Sequence, residues 1–273
     1  MAMVINTNMA SLNAQRHLSG SQAKLAKSME RLATGKRINS GQDDAAGLGI
    51  STRLGGKIRA LNQSVRNAND GVSMAKAGDG ALAEVANMLE RMRELVNQKG
   101  DGALSTNDLS AITLEMSSLG QEIRNIATNT KFNDKLLLSG AATDAGYTFT
   151  VGENASDNYT VKITSFRAKI SGTAATANTF LGGAASAGTV ETAIDAISKA
   201  RGEFGKAITV LESRAANSAA LSENLSAARS QILDADIAAE TAEMTKANVL
   251  QQAGVSILAQ ANQSPQVVLS LLQ

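Results

Sequence analysis

Apolar residues recur at alternating intervals of three and four along most of this chain. The spacing holds from Leu82 to Val96, from Leu109 to Ile126 and, with Arg201 as one charged member, from Val190 to Ala215. Each run places its apolar side chains on one stripe of a helix, as in coiled coils. The only proline is Pro265, so long helices are not interrupted before it. The pattern predicts a mainly α-helical fold, an elongated helical bundle or coiled coil.

Composition divides the 273 residues into three parts. Residues 1–140 and 189–273 are helix-forming, whereas residues 141–188 are rich in Gly, Ala, Ser and Thr and poor in charge. In this middle part, two alternating stretches, Tyr147–Val151 and Tyr159–Ile163, flank turn-forming residues and predict a β-hairpin. We therefore expect the N- and C-terminal segments to pack together, with the middle part as a small β-hairpin-containing insertion.

Residue types that favour helix starts mark three boundaries. Ser105, with Asp108 three residues later, predicts a capping pair, and Thr189 is the predicted N-cap of a later helix. Asp43 and Asp44 follow a turn, where carboxylates suit a helix N-terminus. These two aspartates either cap a helix or form a hinge between two helical parts, and both interpretations stay open.

Several glycines fall inside predicted helices, where each costs up to about 1 kcal/mol relative to alanine. They are Gly55, Gly56, Gly71, Gly78 and Gly80. Close packing between subunits and local kinks both explain them.

The outermost segments carry thin apolar stripes with many small residues between them. The first stripe contains Leu18, Leu25, Met29 and Leu32; the second contains Ile237, Met244, Leu250, Ile257 and Leu258, interspersed with residues such as Gly254 and Ala261. Such stripes compensate poorly for the conformational entropy that is lost on ordering. Two interpretations stay open: an ordinary two-helix coiled coil, or helices that become stable only when copies of the molecule pack around them.

Composition argues against several functional classes. The 26 basic and 25 acidic side chains nearly cancel, so no broad cationic field attracts nucleic acid. There is no cysteine and a single histidine, His17, which excludes thiolate metal sites and the HExxH zinc motif. Adjacent Asp43 and Asp44 point about 100° apart on a helix and do not converge on one bond. We expect no catalytic, metal or cofactor site, and no membrane span.

Three segments carry a specific resemblance, together with residues 5–8. They read RINSGQDDAAGLGIS within residues 31–51, RNANDGVSMAKAGDGAL at residues 66–82, and LQQAGVSILAQANQSPQVVLSLL from Leu250. Their order and content strongly resemble bacterial flagellin over residues 1–140 and 190–273. The middle part matches no particular sequence, as is typical of the variable region in that family.

The resemblance implies a division of the chain into filament-core and shaft segments. The implied parts are an N-terminal filament-core helix at 1–44, shaft segments at 45–140 and 190–231, a short variable region with a β-hairpin at 141–189, and a C-terminal filament-core helix at 232–273. Polymerisation would then rest mainly on the terminal helices. The resulting polymerisation-core residues are Leu18, Leu25, Met29, Leu32, Met244, Leu250, Gly254, Ile257, Leu258 and Ala261.

By the same resemblance, the chain is expected to be a structural subunit that polymerises into the flagellar filament for swimming motility. It would be secreted by the flagellar type III apparatus, which agrees with an N-terminus that lacks a cleavable signal. Implied partners are further copies of the chain, the flagellar cap and hook-junction proteins, and an export chaperone. Residues 1–40 and 235–273 are predicted to be largely disordered in the monomer and to fold on polymerisation.

Two alternatives are retained. The first is a hook–filament junction protein. The second is a cell-surface binding protein that reuses the flagellin fold, for example to capture a polysaccharide. The second would need an aromatic groove, and the candidates nearby are Tyr147, Phe149, Tyr159, Phe166 and Phe180.

Residues 90–95 also resemble the stretch of the family that innate Toll-like receptors recognise. Arg91, Leu95 and Glu115 occupy the matching receptor-contact positions. The alternative is a solvated helix face with a salt bridge between Arg91 and Glu94, which are three residues apart.

Overall fold

The computed structural model describes residues 8–138, 146–154, 156–161 and 185–270, with the backbone alone at 264–270. Its helices are α1 Met9–Thr34, α2 Ala45–Lys99, α3 Thr106–Asn129, α4 Ala187–Leu233 and α5 Ile237–Ser270. Its strands are β1 Lys131–Phe132, β2 Lys135–Leu136, β3 Tyr147–Thr150 and β4 Asn158–Val161. The mainly α prediction is confirmed. Most of the variable region, including Ile163, lies outside the described residues.

The chain forms two compact units. The terminal unit comprises Met1–Gly56 and Asn224–Gln273, and the central unit comprises Lys57–Glu223. The boundaries fall within α2 and within α4.

The predicted heptad stripes form the hydrophobic core of the central unit. In α2 the core contains Leu82, Val85, Leu89 and Met92, all fully buried. Side chains of α3 and α4 join the same cluster, including Ile112, Met116, Ile123, Ile197, Phe204 and Leu211. Helix α4 runs antiparallel to α2, because Phe204 lies against Gly78 and Ser222 donates a hydrogen bond to Asn62 (2.9 Å). The core therefore forms where large apolar residues of three helices meet.

Arg201, the charged member of the predicted α4 stripe, lies outside this core. It is exposed, and its Nε donates a hydrogen bond to Asp79 Oδ1 across 2.8 Å. Buried Ala200 occupies the core position instead. The seven-residue repeat is kept throughout, and its alternate core positions are alanines that lie one residue before the predicted ones. The buried residues are Val190, Ala193, Ile197, Ala200, Phe204, Ala207 and Leu211.

The predicted hairpin is confirmed as β3 and β4, which pair antiparallel with Tyr147 opposite Val161. It packs on the long helices: Asn67 Nδ2 donates to the Thr150 carbonyl (3.0 Å), and the Arg214 guanidinium lies 5.3 Å from the centre of the Tyr159 ring. The hairpin therefore belongs to the folded central unit.

A second hairpin, β1–β2, was not predicted from the sequence. Its two turn residues, Asn133 and Asp134, both have positive φ (48° and 62°), as a type I′ turn requires. Phe132 pairs with Lys135 directly across this turn. The adjacent Asn-Asp pair was the available signal, but two-residue strands are too short to show an alternating pattern.

Two helix caps were predicted, with different outcomes. The Ser105–Asp108 capping box is confirmed, since each side chain accepts a hydrogen bond from the backbone of the other residue. The prediction for Thr189 is wrong, because α4 begins at Ala187, directly after Ser186. Thr189 Oγ1 instead accepts from the Ser186 backbone N–H (2.9 Å), which is the reciprocal half of a capping arrangement.

Two of the helical glycines are explained by packing within the subunit. A Cβ atom at Gly78 would lie 2.4 Å from the Phe204 ring, and one at Gly71 would lie 2.9 Å from Leu211 Cδ1. A Cβ atom at Gly56 or Gly80 would instead lie in open space, with no contact within 4 Å. The central unit therefore uses glycine where α4 approaches α2 closely.

We predict that Gly78→Ala lowers the free energy of unfolding by about 1–3 kcal/mol, because the new methyl group would overpack the Phe204 site. Gly80→Ala is the matched control two residues away on the same helix. It should raise stability by about 0.5–1 kcal/mol through helix propensity. Urea unfolding followed by circular dichroism measures both, and equal effects of the two variants would contradict this account.

Candidate self-assembly surface

Helices α1 and α5 form an antiparallel pair in the terminal unit. Leu18 lies against Gly254, and Arg31 contacts Glu240. At the other end, Asn8 Nδ2 donates to the Ala261 carbonyl (2.8 Å). These contacts follow one register along the length of the pair.

Small side chains dominate the inner face of the pair. Ser11, Ala14 and Ser28 of α1 are buried, and Ala247 of α5 is 2% exposed. A Cβ atom at Gly254 would lie 3.4 Å from Leu18 Cδ1, in ordinary van der Waals contact. The buried side chains of the pair are therefore small.

Large apolar side chains lie on the outside of the same pair. We call this set the outer stripe; it consists of Met9, Leu12, Met29, Ile237, Val249, Leu250, Val255 and Ile257. Three members that were also predicted as polymerisation-core residues, Met29, Leu250 and Ile257, are 51%, 48% and 57% exposed. Exposed apolar patches of this kind mark interaction sites.

The other predicted polymerisation-core residues face inward. They are half-buried in the helix pair, and they are Leu18, Leu25, Leu32, Met244, Gly254, Leu258 and Ala261. The structure therefore separates the predicted set into an inner seam and an outer stripe. Sequence reasoning missed Met9, Leu12, Val249 and Val255, which were found only by their exposure.

Next to the pair, residues 35–44 connect α1 to α2 and are held by backbone contacts. Arg37 N donates to the Leu233 carbonyl (2.7 Å), and Ala235 N donates to the Gly35 carbonyl (3.0 Å). Gly35 adopts φ of 68°, the left-handed conformation that ends α1. The end of α1 is thereby joined to the segment between α4 and α5.

Asp43 and Asp44 both stabilise this connection. Lys27 Nζ lies 2.8 Å from Asp43 Oδ1, and the backbone N–H groups of Ser40 and Asn39 donate to Asp43 Oδ2. The hydrogen bond from Lys27, followed by those from the two backbone groups, lowers the pKa of Asp43 far below its ordinary value. Asp44 Oδ1 accepts from Gly47 N (2.9 Å) at the start of α2. The capping interpretation is confirmed for Asp44.

The remaining site predictions concern absences. Among the residues that the structure describes, no group of three or more His, Asp or Glu side chains could hold a metal ion. His17 is exposed on α1. None of the described helices combines the length and apolar content that a bilayer-spanning segment needs.

Comparison with known proteins identifies the family to which this chain belongs. The profile described as "Bacterial flagellin N-terminal helical region" matches residues 5–143, and the one described as "Bacterial flagellin C-terminal helical region" matches residues 187–272. The chain belongs to the bacterial flagellin family. It is accordingly a structural subunit of the flagellar filament and not an enzyme.

Full-length relatives support membership of the flagellin family. The flagellin of Bacillus subtilis is 38% identical, with 99% of this chain and 100% of the relative aligned. The flagellar filament 33 kDa core protein of Treponema phagedenis is 35% identical over the same shares. Among solved structures, the crystal structure of Bacillus cereus flagellin has 30% identity and a TM-score of 0.47, covering 56% of this chain and 88% of that one.

The candidate receptor-contact residues of this flagellin occupy two different environments. Arg91 is exposed. Its Nη1 donates a hydrogen bond to Glu94 Oε2 (2.8 Å), and its Nε donates one to Glu115 Oε1 (3.0 Å). The hydrogen bond from Arg91 to Glu94, then that to Glu115, raises the pKa of Arg91. Leu95 lies in the core and is 1% exposed. Arg91 and Glu115 thus form a surface pair, and Leu95 contributes to the packing beneath.

Nothing described in the structure favours the polysaccharide-binding alternative. Tyr147 is buried and donates a hydrogen bond from its hydroxyl to the Leu136 carbonyl. Phe149 and Tyr159 are half-buried against the helices of the central unit. These three rings pack within the subunit, and Phe166 and Phe180 lie outside the described residues.

Proposed function

We propose that the outer stripe of α1 and α5 is the surface through which copies of this flagellin pack together in the filament core. The observation that carries the proposal is that eight large apolar side chains of α1 and α5 are about half exposed or more, while the buried side chains described in these two helices are all small. Contact between water and the apolar side chains of the outer stripe is unfavourable. Burial of these side chains against neighbouring subunits would remove that contact. The seven inner-seam residues contribute by holding the two helices together.

The exposed apolar residues lie on more than one side of α5, since Ile237 and Val255 share a side whereas Leu250 lies about 140° around the helix from them. Such a distribution is suited to an open polymer. When different faces of a subunit meet, the contact is heterologous, and it generates a helical filament if the rotation does not close. The formal charge of +1 leaves little electrostatic repulsion between copies.

We further propose that the terminal helices become ordered mainly on assembly. In the seam that joins them, the buried residues Ser11, Ala14, Ser28 and Ala247 are small, and the large residues of the inner seam are only half-buried. Ordering costs about 1–2 kcal/mol for each backbone residue. Neighbouring subunits that cover the outer stripe would supply the missing burial.

The finer domain division is proposed on the same basis. Residues 1–44 and 232–273 would form the filament core, 45–140 and 190–231 the shaft, and 141–189 the variable region. Support comes from the contact division at Gly56 and Glu223, which separates the terminal from the central unit near these limits.

The proposed cellular role includes secretion to the extracellular filament through the flagellar type III apparatus. Cap and hook-junction proteins would meet the subunit at the ends of the filament, and an export chaperone would bind it before assembly. These partners are proposed from membership of the flagellin family.

A Toll-like receptor is proposed as a further partner of the monomer, at Arg91, Leu95 and Glu115. The exposed Arg91–Glu115 pair supports direct contact by these two residues. Leu95, which is buried, would act by supporting the helix surface beneath the pair.

We predict that Leu250→Asn combined with Ile257→Asn weakens polymerisation without unfolding the central unit. Each side chain is about half exposed, so its remaining burial is worth about 1 kcal/mol. Loss of about 2 kcal/mol would raise the critical concentration about thirtyfold. Sedimentation of seeded filaments measures this, with exposed Gln252→Asn on the same helix as control. An unchanged critical concentration would refute the outer stripe as a contact.

Helix content should rise when monomers become filaments, because residues 1–40 and 235–273 would become ordered. Far-ultraviolet circular dichroism of the two states measures the change. A variant that lacks residues 1–40 should fail to polymerise and show no such rise, while its central unit stays folded. Equal helicity of monomer and filament would contradict ordering on assembly.

Arg91→Ala and Glu115→Ala should each reduce the response of a Toll-like receptor reporter cell to purified monomer, because each removes one side of the exposed pair. Arg93→Ala is the matched control: Arg93 lies on the same helix, is similarly exposed and pairs with Glu90 (2.6 Å). A silent response to the unmodified protein at saturating concentration would rule out the receptor proposal.

A further inference from the structure

One ion pair in the seam between α1 and α5 is poorly explained as a source of stability. Arg31 Nη1 lies 2.7 Å from Glu240 Oε1, and the two side chains are 25% and 14% exposed. Arg31 Nε is buried without a hydrogen-bond partner. Withdrawing charges from water is costly, and replacing such a pair by apolar residues is often neutral or stabilising. A different role is therefore needed to account for this pair.

The apolar residues of α5 do not by themselves select the face that packs on α1. Ala247, Gly254 and Ala261 recur every seven residues on the inner face. Leu250 and Ile257, also seven apart, are displaced from Gly254 by about 40° and 60° around the helix at 3.6 residues per turn. Rotating α5 by about 50° would bring these larger side chains against α1. The same rotation would carry Met244 and Leu258, which are half-buried in the inner seam, away from α1, so hydrophobic burial alone favours neither orientation. Part of the outer stripe would be lost in the rotated packing.

Polar contacts favour the observed orientation instead. Arg31 lies in the last turn of α1 and Glu240 in the first turn of α5, so each charge also suits the dipole of its own helix. At the opposite end, Asn8 donates to the Ala261 carbonyl and Ser11 donates to Asn262 Oδ1 (2.9 Å). Rotation of α5 would separate Glu240 from Arg31 and leave both charges unpaired in the seam.

We infer that Arg31 and Glu240 are positioning residues that hold α5 in the rotational orientation that leaves Leu250 and Ile257 outside, available to other subunits. This inference rests on the proposed function of the outer stripe. The ion pair acts as a selector between two packings of the same helices, and not as a major source of stability. Charged and polar groups in helix seams have this selecting role in coiled coils.

The decisive variant is Arg31→Leu combined with Glu240→Leu, since a stabilising role and a selecting role predict opposite results. The rotational orientation is measured by disulfide cross-linking, which is clean because the natural chain has no cysteine. Leu18→Cys is combined either with Gly254→Cys, which reports the observed orientation, or with Ile257→Cys, which reports the rotated one. The full-length protein is oxidised in the presence of filament seeds and then sedimented. Cross-linking is measured in both the pellet and the supernatant.

We expect the double leucine variant to keep or increase helix content, to form at least tenfold less sedimentable filament, and to shift cross-linking from position 254 towards position 257. Wild-type filament yield with cross-linking at 254 would overturn the inference. Filament loss with an unchanged cross-link pattern would also overturn it, because the pair would then act in some way other than orientation.

Charge reversal provides an independent measurement. Arg31→Glu and Glu240→Arg alone should each lower filament yield at least tenfold. R31E/E240R should recover part of it, because opposite charges are restored although each now opposes the dipole of its helix. Failure of the double reversal to recover would count against the inference. Lys76→Glu is the matched control, since Lys76 and Glu212 form an exposed pair between α2 and α4 (3.5 Å).

If Leu250→Asn/Ile257→Asn polymerises normally while the cross-links of the double leucine variant still shift, the proposed function fails and the orientation role stands.

Discussion

Close packing of small residues between α1 and α5 is the constraint on which the terminal unit depends. Leu18 lies against Gly254, and buried Ala14, Ser28 and Ala247 place further small side chains along the pair. The large apolar side chains of the same helices divide between the two sides, since Leu18 and Leu258 are half-buried in the seam whereas Leu250 and Ile257 are exposed. A weakly cohesive helix pair and an apolar exterior are thus two consequences of one arrangement.

The central unit follows the opposite principle. Its large apolar residues, such as Leu89, Met116 and Phe204, point inward and are fully buried, and glycine is used where Phe204 needs room against Gly78. A core of this kind is stable without neighbours. One polypeptide therefore combines a helical part that has its own core with terminal helices that we propose are completed by neighbouring subunits of the flagellar filament.

Much of this organisation could be predicted from residue spacing, and the failures have physical causes. The stripe from Leu82 to Val96 appeared as expected because long runs of large apolar residues override local effects. Arg201 was misplaced because the alternate core positions of α4 are the small residues Ala193, Ala200 and Ala207, and the predicted stripe followed the residue after each of them. The start of α4 was missed because Ser186 and Thr189 are both capable caps and exchange hydrogen bonds with one another. The turn at Asn133 and Asp134 was missed because its strands are too short to leave a pattern.

The sequence by itself determined the helical content, the positions of the apolar stripes, the capping box at Ser105 and the family of the protein. It also limited the chemistry, since a chain without cysteine and with one histidine offers few reactive groups. Only the tertiary structure decided which apolar residues of the terminal helices face inward. Leu258 and Ile257 are neighbours of similar hydrophobicity, and nothing local distinguishes them. Their environments differ because α1 approaches α5 on one side only, and that side depends on contacts between residues more than two hundred positions apart.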